Sequence, residues 1–245
     1  MKTQLDYYIA ACETEDMKTF SNTMKKLEKE YGIYPHFSLK DAESLFNNCW
    51  RIFKQNNNPI KQYNALRLVK YVTTSDEFMK TNNNYQKIWE FFKNTIFHEN
   101  GNVRNAGIHL LSRLYFEMTI LSESSLLRKK IPENEIEDCQ KFVVDMFLYL
   151  EKLERDYTAA NINIISKGDL EDESGRPWGG DTKNKQLRTI RRAIEEMDRG
   201  TWLRKLLVKY EIIDKEKTEE ELKWDEFLNV MLKPILPDKE KSENI

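Results

Sequence analysis

The strongest constraint on the fold is a short helical pattern that occurs twice, 43 residues apart in the numbering. In the stretch from Asn102 to Leu114 an apolar residue is followed directly by a basic one, and leucines come later at helical spacing. Ile60 and Lys61 begin a similar stretch. An echo of this period is typical of helical pairs that stack side by side and share a core. The pattern therefore predicts a helical scaffold, which more often binds than catalyses.

The composition also favours helices. Among 245 residues there are only 8 glycines and 6 prolines, which is unusual for a turn-rich β fold. The hydrophobic share of 40% and the charged share of 33% are those of a well-solvated globular protein with a core. The formal net charge of −2 provides no overall attraction to nucleic acid or to an anionic membrane. Binding of either kind would therefore need a local basic patch.

Amphipathic segments and the residues before them predict where the helices begin. Residues suited to a helix N-terminus occur at Asp16, Ser38, Pro59, Asn100 and Pro132. The one segment that could form a strand, 161–166, has no partner with alternating polarity. We therefore predict an all-α chain of about 8 to 11 helices, arranged as an irregular α–α superhelix of antiparallel helical pairs.

The two echoing stretches resemble the repeats of the HEAT and armadillo-like superfamily, over residues 55–120. In HEAT repeats the apolar–basic pair begins the second helix of each unit. The resemblance implies that Val103 packs inward and that Arg104 pairs with an acidic residue of a neighbouring repeat. The chain departs from the pattern in having Asn102 and Pro59 where an aspartate usually precedes the pair. The resemblance implies two repeats with irregular flanking helices, and it says little about function.

An uneven distribution of glycine predicts the domain organisation. Half of the glycines lie between Gly168 and Gly180, in a stretch that is also rich in acidic residues. We therefore predict a loop over 166–182. Before it lies the HEAT-like region over 1–165, and after it come C-terminal helices over 183–245 that pack on the same domain. Long loops of this kind are often functional or disordered.

The predicted loop carries two candidate binding residues, Arg176 and Trp178. The tryptophan lies between a proline and a glycine, where a helix core cannot contain it. An aromatic side chain on a loop can act as a hot spot for binding. The alternative is that Trp178 packs against the side of the core, or that the loop is merely mobile.

The sharpest electrostatic feature is the predicted helix from about Lys183 to Arg199. Apolar residues share one of its faces, and the other side carries Arg188, Arg191, Arg192 and Arg199. Such a stripe can bind the phosphates of a nucleic acid, and its arginines are also candidates for contact with a partner. The alternative is a solvated face, neutralised by the acidic stretches at 169–173 and 211–226.

The sequence contains no motif for catalysis, for a cofactor or for a metal. The histidines are His36, His98 and His109, and no two of them have the spacing of metal ligands. The cysteines are Cys12, Cys49 and Cys139, too few and too far apart for a disulfide framework or a zinc site. Reduced thiols suggest a cytoplasmic protein. No apolar run approaches the roughly 20 residues that span a bilayer, so we expect no membrane contact.

These observations lead to one main expectation and two alternatives. The main expectation is a non-catalytic scaffold that binds a protein or peptide partner. The first alternative is a nucleic-acid-binding protein similar to the HEAT-like DNA glycosylases, in which the face from Arg188 to Arg199 would hold phosphates. The acidic overall balance argues against it. The second alternative, an enzyme with a site built from scattered acids, has no motif in its favour.

Overall fold

The structure, a computed structural model, describes residues 3–32, 35, 37–73, 75–81, 84–123, 132–165, 182–198 and 201–213. This part of the chain contains ten helices and no strand, so the predicted all-α class is confirmed. The helices are α1 (Gln4–Cys12), α2 (Met17–Tyr31), α3 (Leu39–Gln55), α4 (Pro59–Val72), α5 (Asp76–Lys80), α6 (Asn84–Lys93), α7 (Gly101–Glu123), α8 (Glu133–Ile165), α9 (Thr182–Asp198) and α10 (Thr201–Lys209). The segment 161–166, which the sequence analysis rejected as a strand, is helical as far as it is described, because α8 continues to Ile165.

Local capping chemistry explains why the helices begin where the sequence predicts. The side chains of Asp16 and Ser38 each accept the backbone N–H three residues ahead, at 2.6 and 3.2 Å. The side chain of Asn100 accepts the N–H of Val103 at 3.3 Å. Pro59 is the first residue of α4, where the missing N–H of proline costs nothing.

Helix α7 lies at the centre of the described helices. It packs against α4, α6, α8 and α9. Its buried apolar side chains therefore point in nearly every direction: Val103, Ala106, Ile108, Leu110, Leu111, Leu114 and Met118. Helix α4, which packs on both α3 and α7, is also buried on more than one side.

The chain divides into two compact units, with the boundary between Leu206 and Leu207. The first unit contains α1 to α9 and the start of α10. Of the second unit the structure describes 207–213, which completes α10 and continues into a turn. In that turn Glu211 has a positive φ of 58° and the N–H of Ile212 donates to the carbonyl of Leu207 at 2.8 Å.

The predicted loop at 166–182 lies outside the described residues except for Thr182, the first residue of α9. Among the helices that are described, none has both the length and the apolar character needed to cross a bilayer.

Candidate partner-binding groove

The predicted site residues fall into two groups. Arg176, Trp178 and Arg199 lie outside the described residues. Arg188, Arg191 and Arg192 lie on α9. The apolar face that the sequence assigns to this helix is confirmed, since four of its members are completely buried: Leu187, Ile190, Ala193 and Met197. Burial of that face fixes the rotation of α9, and so decides where the three arginines can reach.

The three described arginines do not form one exposed stripe. Arg191 turns towards α8, where its Nε donates to Oε1 of Glu154 at 2.6 Å. Both terminal nitrogens of Arg188 are buried and have no hydrogen-bond partner among the residues that the structure describes. Arg192 is exposed and reaches α7, where its Nη1 donates to Oδ1 of Asn105 at 2.9 Å. Of these three, Arg192 alone has an exposed guanidinium group without a carboxylate partner in the described part of the chain.

One of the three described arginines is neutralised, but by a carboxylate of a neighbouring helix and not by one of the expected acidic stretches. Glu154 of α8 neutralises Arg191. The acidic stretches that were expected to do so, 169–173 and 211–226, lie outside the described residues apart from 211–213.

A groove of about 460 Å³ lies between α4 and α7, next to Arg192. Apolar side chains line its floor: Leu66, Ala106 and Leu110. Three basic side chains and an imidazole from the two helices line its walls: Arg67, Lys70, Arg113 and His109. Phe116, on the last part of the groove along α7, is 51% exposed. Apolar floors with a few charged groups above them are typical of binding sites.

Positive charges dominate the electrostatics of the groove. Burial and the charge of Arg67 lower the pKa of Lys70, against the opposing effect of Glu28. Burial also lowers the pKa of His109, and Arg67 and Arg192 lower it further. Because Arg67 belongs to α4 and Arg192 to α9, His109 lies within reach of cations from two neighbouring helices.

Carboxylates compensate only part of this charge. Glu28 accepts the hydroxyl of Tyr71 at 2.5 Å and lies 3.9 Å from the Nζ of Lys70. Glu117, which is buried, forms an ion pair with Arg113. Glu196 acts on His109 and partly offsets the arginines. In the described part of the chain no carboxylate pairs with Arg67, whose guanidinium lies 6.0 Å from the ring centroid of Tyr63.

Arg104 holds α7 and its neighbours together through hydrogen bonds to two carbonyls and a hydroxyl group. Val103 is fully buried, as predicted. No carboxylate of the described residues pairs with Arg104: its Nη1 donates to the carbonyls of His98 and Glu99 at 2.5 and 2.8 Å, and its Nε donates to Oγ1 of Thr189 at 3.2 Å. The side chain is only 7% exposed. It therefore joins the connection before α7 to α9, the helix that carries Arg192.

The groove residues on α4 and α7 were missed by the sequence analysis, which concentrated on the arginines of α9. The spacing of two basic residues in the sequence nevertheless points to this groove. Lys70 and Arg113 are 43 residues apart, the same offset that separates Ile60 from Val103. Two basic residues at equivalent positions of an echo would lie side by side if the echo reflects stacked helices.

Acid should destabilise the protein through His98. Its Nδ1 accepts the N–H of Asn100 at 3.0 Å and its Nε2 lies 3.0 Å from Oε1 of Gln62. Burial, followed by the charge of Arg104, lowers its pKa below the usual 6.5. The unfolded chain therefore takes up the proton first, so stability is lost as the pH falls below about 6.5. Urea unfolding between about pH 8 and pH 5 should show a shallower loss for His98→Gln than for the wild type.

His98→Gln should still lose some stability at low pH, and this remaining loss should come from His109, whose pKa is also lowered. Equal pH profiles for the wild type and His98→Gln would show that His98 does not contribute.

The described part of the chain offers no group of three or more His, Cys, Asp or Glu side chains arranged to hold a metal ion. Comparison of the chain with protein-family models, with curated proteins and with solved structures finds no match.

Proposed function

We propose that this chain is a non-catalytic, HEAT-like scaffold that binds a segment of a partner protein in the groove between α4 and α7. The observation that carries the proposal is the groove itself, in which an apolar floor lies between basic walls. Helical scaffolds commonly bind peptides and helices in grooves between adjacent helices. A cytoplasmic protein is the expected setting, since the thiols are unpaired.

The interactions of the groove residues support the repeat relation between α4 and α7. The charge of Arg67 is the largest of the charges that act on His109, and the charge of Arg113 acts on Lys70. Lys70 and Arg113 are 43 residues apart, so their interaction is the one expected if α4 and α7 are equivalent helices of two stacked pairs.

Nucleic acid is the alternative occupant, held by the same arginines. The groove favours it less than it favours a peptide, for two reasons. Its floor is apolar, whereas nucleic-acid interfaces are polar and strongly basic. Of the predicted phosphate-binding residues, Arg191 is paired with Glu154 and Arg188 has buried terminal nitrogens.

Blocking the groove should abolish partner binding. Ser112 lines the groove, and Ser112→Trp would fill it without changing its charge. The matched control is Ser44→Trp, which adds the same side chain to a polar depression on α3. We expect peptides selected from a random displayed library by the wild type to bind Ser44→Trp normally and Ser112→Trp at least about tenfold more weakly, measured by fluorescence anisotropy.

The same measurement decides against the proposal if the wild type enriches no peptides, or if the enriched peptides bind Ser112→Trp as well as the wild type. Labelled DNA is the parallel probe. Salt-sensitive DNA binding that is lost in Ser112→Trp, without any peptide binding, would establish the alternative instead.

A further inference from the structure

We infer that the groove takes an acidic amphipathic helix, with carboxylates beside Arg67 and Arg192 and apolar side chains on the floor. This inference rests on the proposed function and specifies the chemistry of the partner. Three features of the groove lead to it: its shape, its uncompensated charge and its exposed aromatic side chain.

The shape of the groove suits a helix. The residues of α7 that line it run from Ala106 to Phe116, a distance of about 15 Å at 1.5 Å per residue. That length matches roughly three turns of a helical ligand. Two floor residues, Ala106 and Leu110, are one turn apart on α7, so they offer a surface into which the ridge of a second helix can pack.

The charge of the groove suits carboxylates. Arg67 and Arg192 have no carboxylate partner in the described part of the chain, and they act on His109 from α4 and α9, two helices that both pack on α7. A ligand that lies along α7 can therefore contact both. Carboxylates on the ligand would also relieve the repulsion between Arg67 and Lys70 in the free protein.

The exposed aromatic residue supplies an apolar contact at one end. The ring of Phe116 is 51% exposed, and the guanidinium of Arg113 lies 5.3 Å from its centroid. An apolar side chain of the ligand that covers Phe116 would remove this surface from water. The resulting ligand has acidic groups towards Arg192 and a hydrophobic anchor towards Phe116, a polarity that would fix its direction in the groove.

The test uses three fluorescein-labelled peptides of about 14 residues, each with leucines at helical spacing and with Glu, Gln or Lys at the remaining positions. The wild type should bind the Glu peptide at least about tenfold more tightly than the Gln peptide. The double variant Arg67→Glu, Arg192→Glu should lose that preference and gain affinity for the Lys peptide. The matched control is Arg51→Glu, Arg155→Glu, which reverses two charges at exposed sites elsewhere on the surface and should behave like the wild type.

The gain for the Lys peptide shows that the double variant is folded, so a loss of binding cannot be ascribed to unfolding. Equal affinity for the Glu and Gln peptides overturns the inference. If Ser112→Trp then binds neither of these two peptides, the proposed function stands but the preference for an acidic partner does not. Failure to bind any of the three peptides, or a preference for an oligonucleotide that the double variant loses, also overturns the inference.

Discussion

Replacing Arg104 with alanine is expected to lower the free energy of unfolding by about 3–5 kcal/mol, because it removes three hydrogen bonds and leaves a cavity where a buried side chain was. The guanidinium holds the carbonyls of His98 and Glu99, which precede α7, and the hydroxyl of Thr189 on α9. Alanine would leave the two carbonyls without this donor and would open a cavity. Urea denaturation at neutral pH measures the difference.

Two controls separate this effect from a general cost of removing arginine. Arg155 on α8 is exposed, and its side chain is 4.0 Å from Glu151, so Arg155→Ala should change stability by no more than about 0.5 kcal/mol. Thr189→Ala should cost about 1 kcal/mol. In the Arg104, Thr189 double-mutant cycle the two costs should not add, because the residues share a hydrogen bond. A loss below about 1 kcal/mol for Arg104→Ala would show that this side chain does not hold the two elements together.

Arg104 also illustrates what the sequence can and cannot predict. The resemblance to HEAT repeats implies that Val103 packs inward, and this side chain is fully buried. The partner of Arg104 depends on which elements lie next to α7, and no local pattern contains that information. The carbonyls of His98 and Glu99 are exposed to this guanidinium because the connection between α6 and α7 folds back over the start of α7.

The helices with strong amphipathic patterns were predicted because their signals are local. Asp16, Ser38 and Asn100 cap the helices that follow them through contacts within three residues. The short helix α1 was missed. It has a capping box formed by Thr3 and Asp6, but a helix of nine residues shows too few turns for a periodic pattern to be visible.

The candidate site was harder to predict than the helices. The arginines of α9 are close together in sequence, yet burial of the apolar face directs Arg191 towards α8 and Arg192 towards α7. The groove is built from residues that are distant in sequence, such as Arg67 and His109. Their proximity depends on the packing of α4 on α7, which the 43-residue echo suggests but does not establish.

Replacing Gly107 with alanine is expected to destabilise the protein by about 1–3 kcal/mol, because α7 approaches the preceding connection too closely to admit a methyl group. A Cβ atom at position 107 would lie 1.9 Å from Oγ1 and 2.8 Å from Cβ of Thr95. Thr95 is fully buried and donates its hydroxyl to the carbonyl of Phe92 at 2.7 Å, so it has no space to withdraw. The expected loss opposes helix propensity, which favours alanine over glycine by about 1 kcal/mol.

The same helix supplies the control. A Cβ atom at Gly101 would meet nothing closer than Nη2 of Arg104 at 3.6 Å, so Gly101→Ala should be neutral or stabilising by up to about 1 kcal/mol. As a single substitution, Thr95→Gly should destabilise the protein, since it removes a buried hydrogen bond. Combined with Gly107→Ala it should recover part of the stability that Gly107→Ala loses, because both clashing atoms of Thr95 are then gone. Thermal and urea unfolding of the four proteins in this cycle give the coupling. Strict additivity would mean that the two residues do not restrict each other, and that glycine at 107 serves some purpose other than close packing on Thr95.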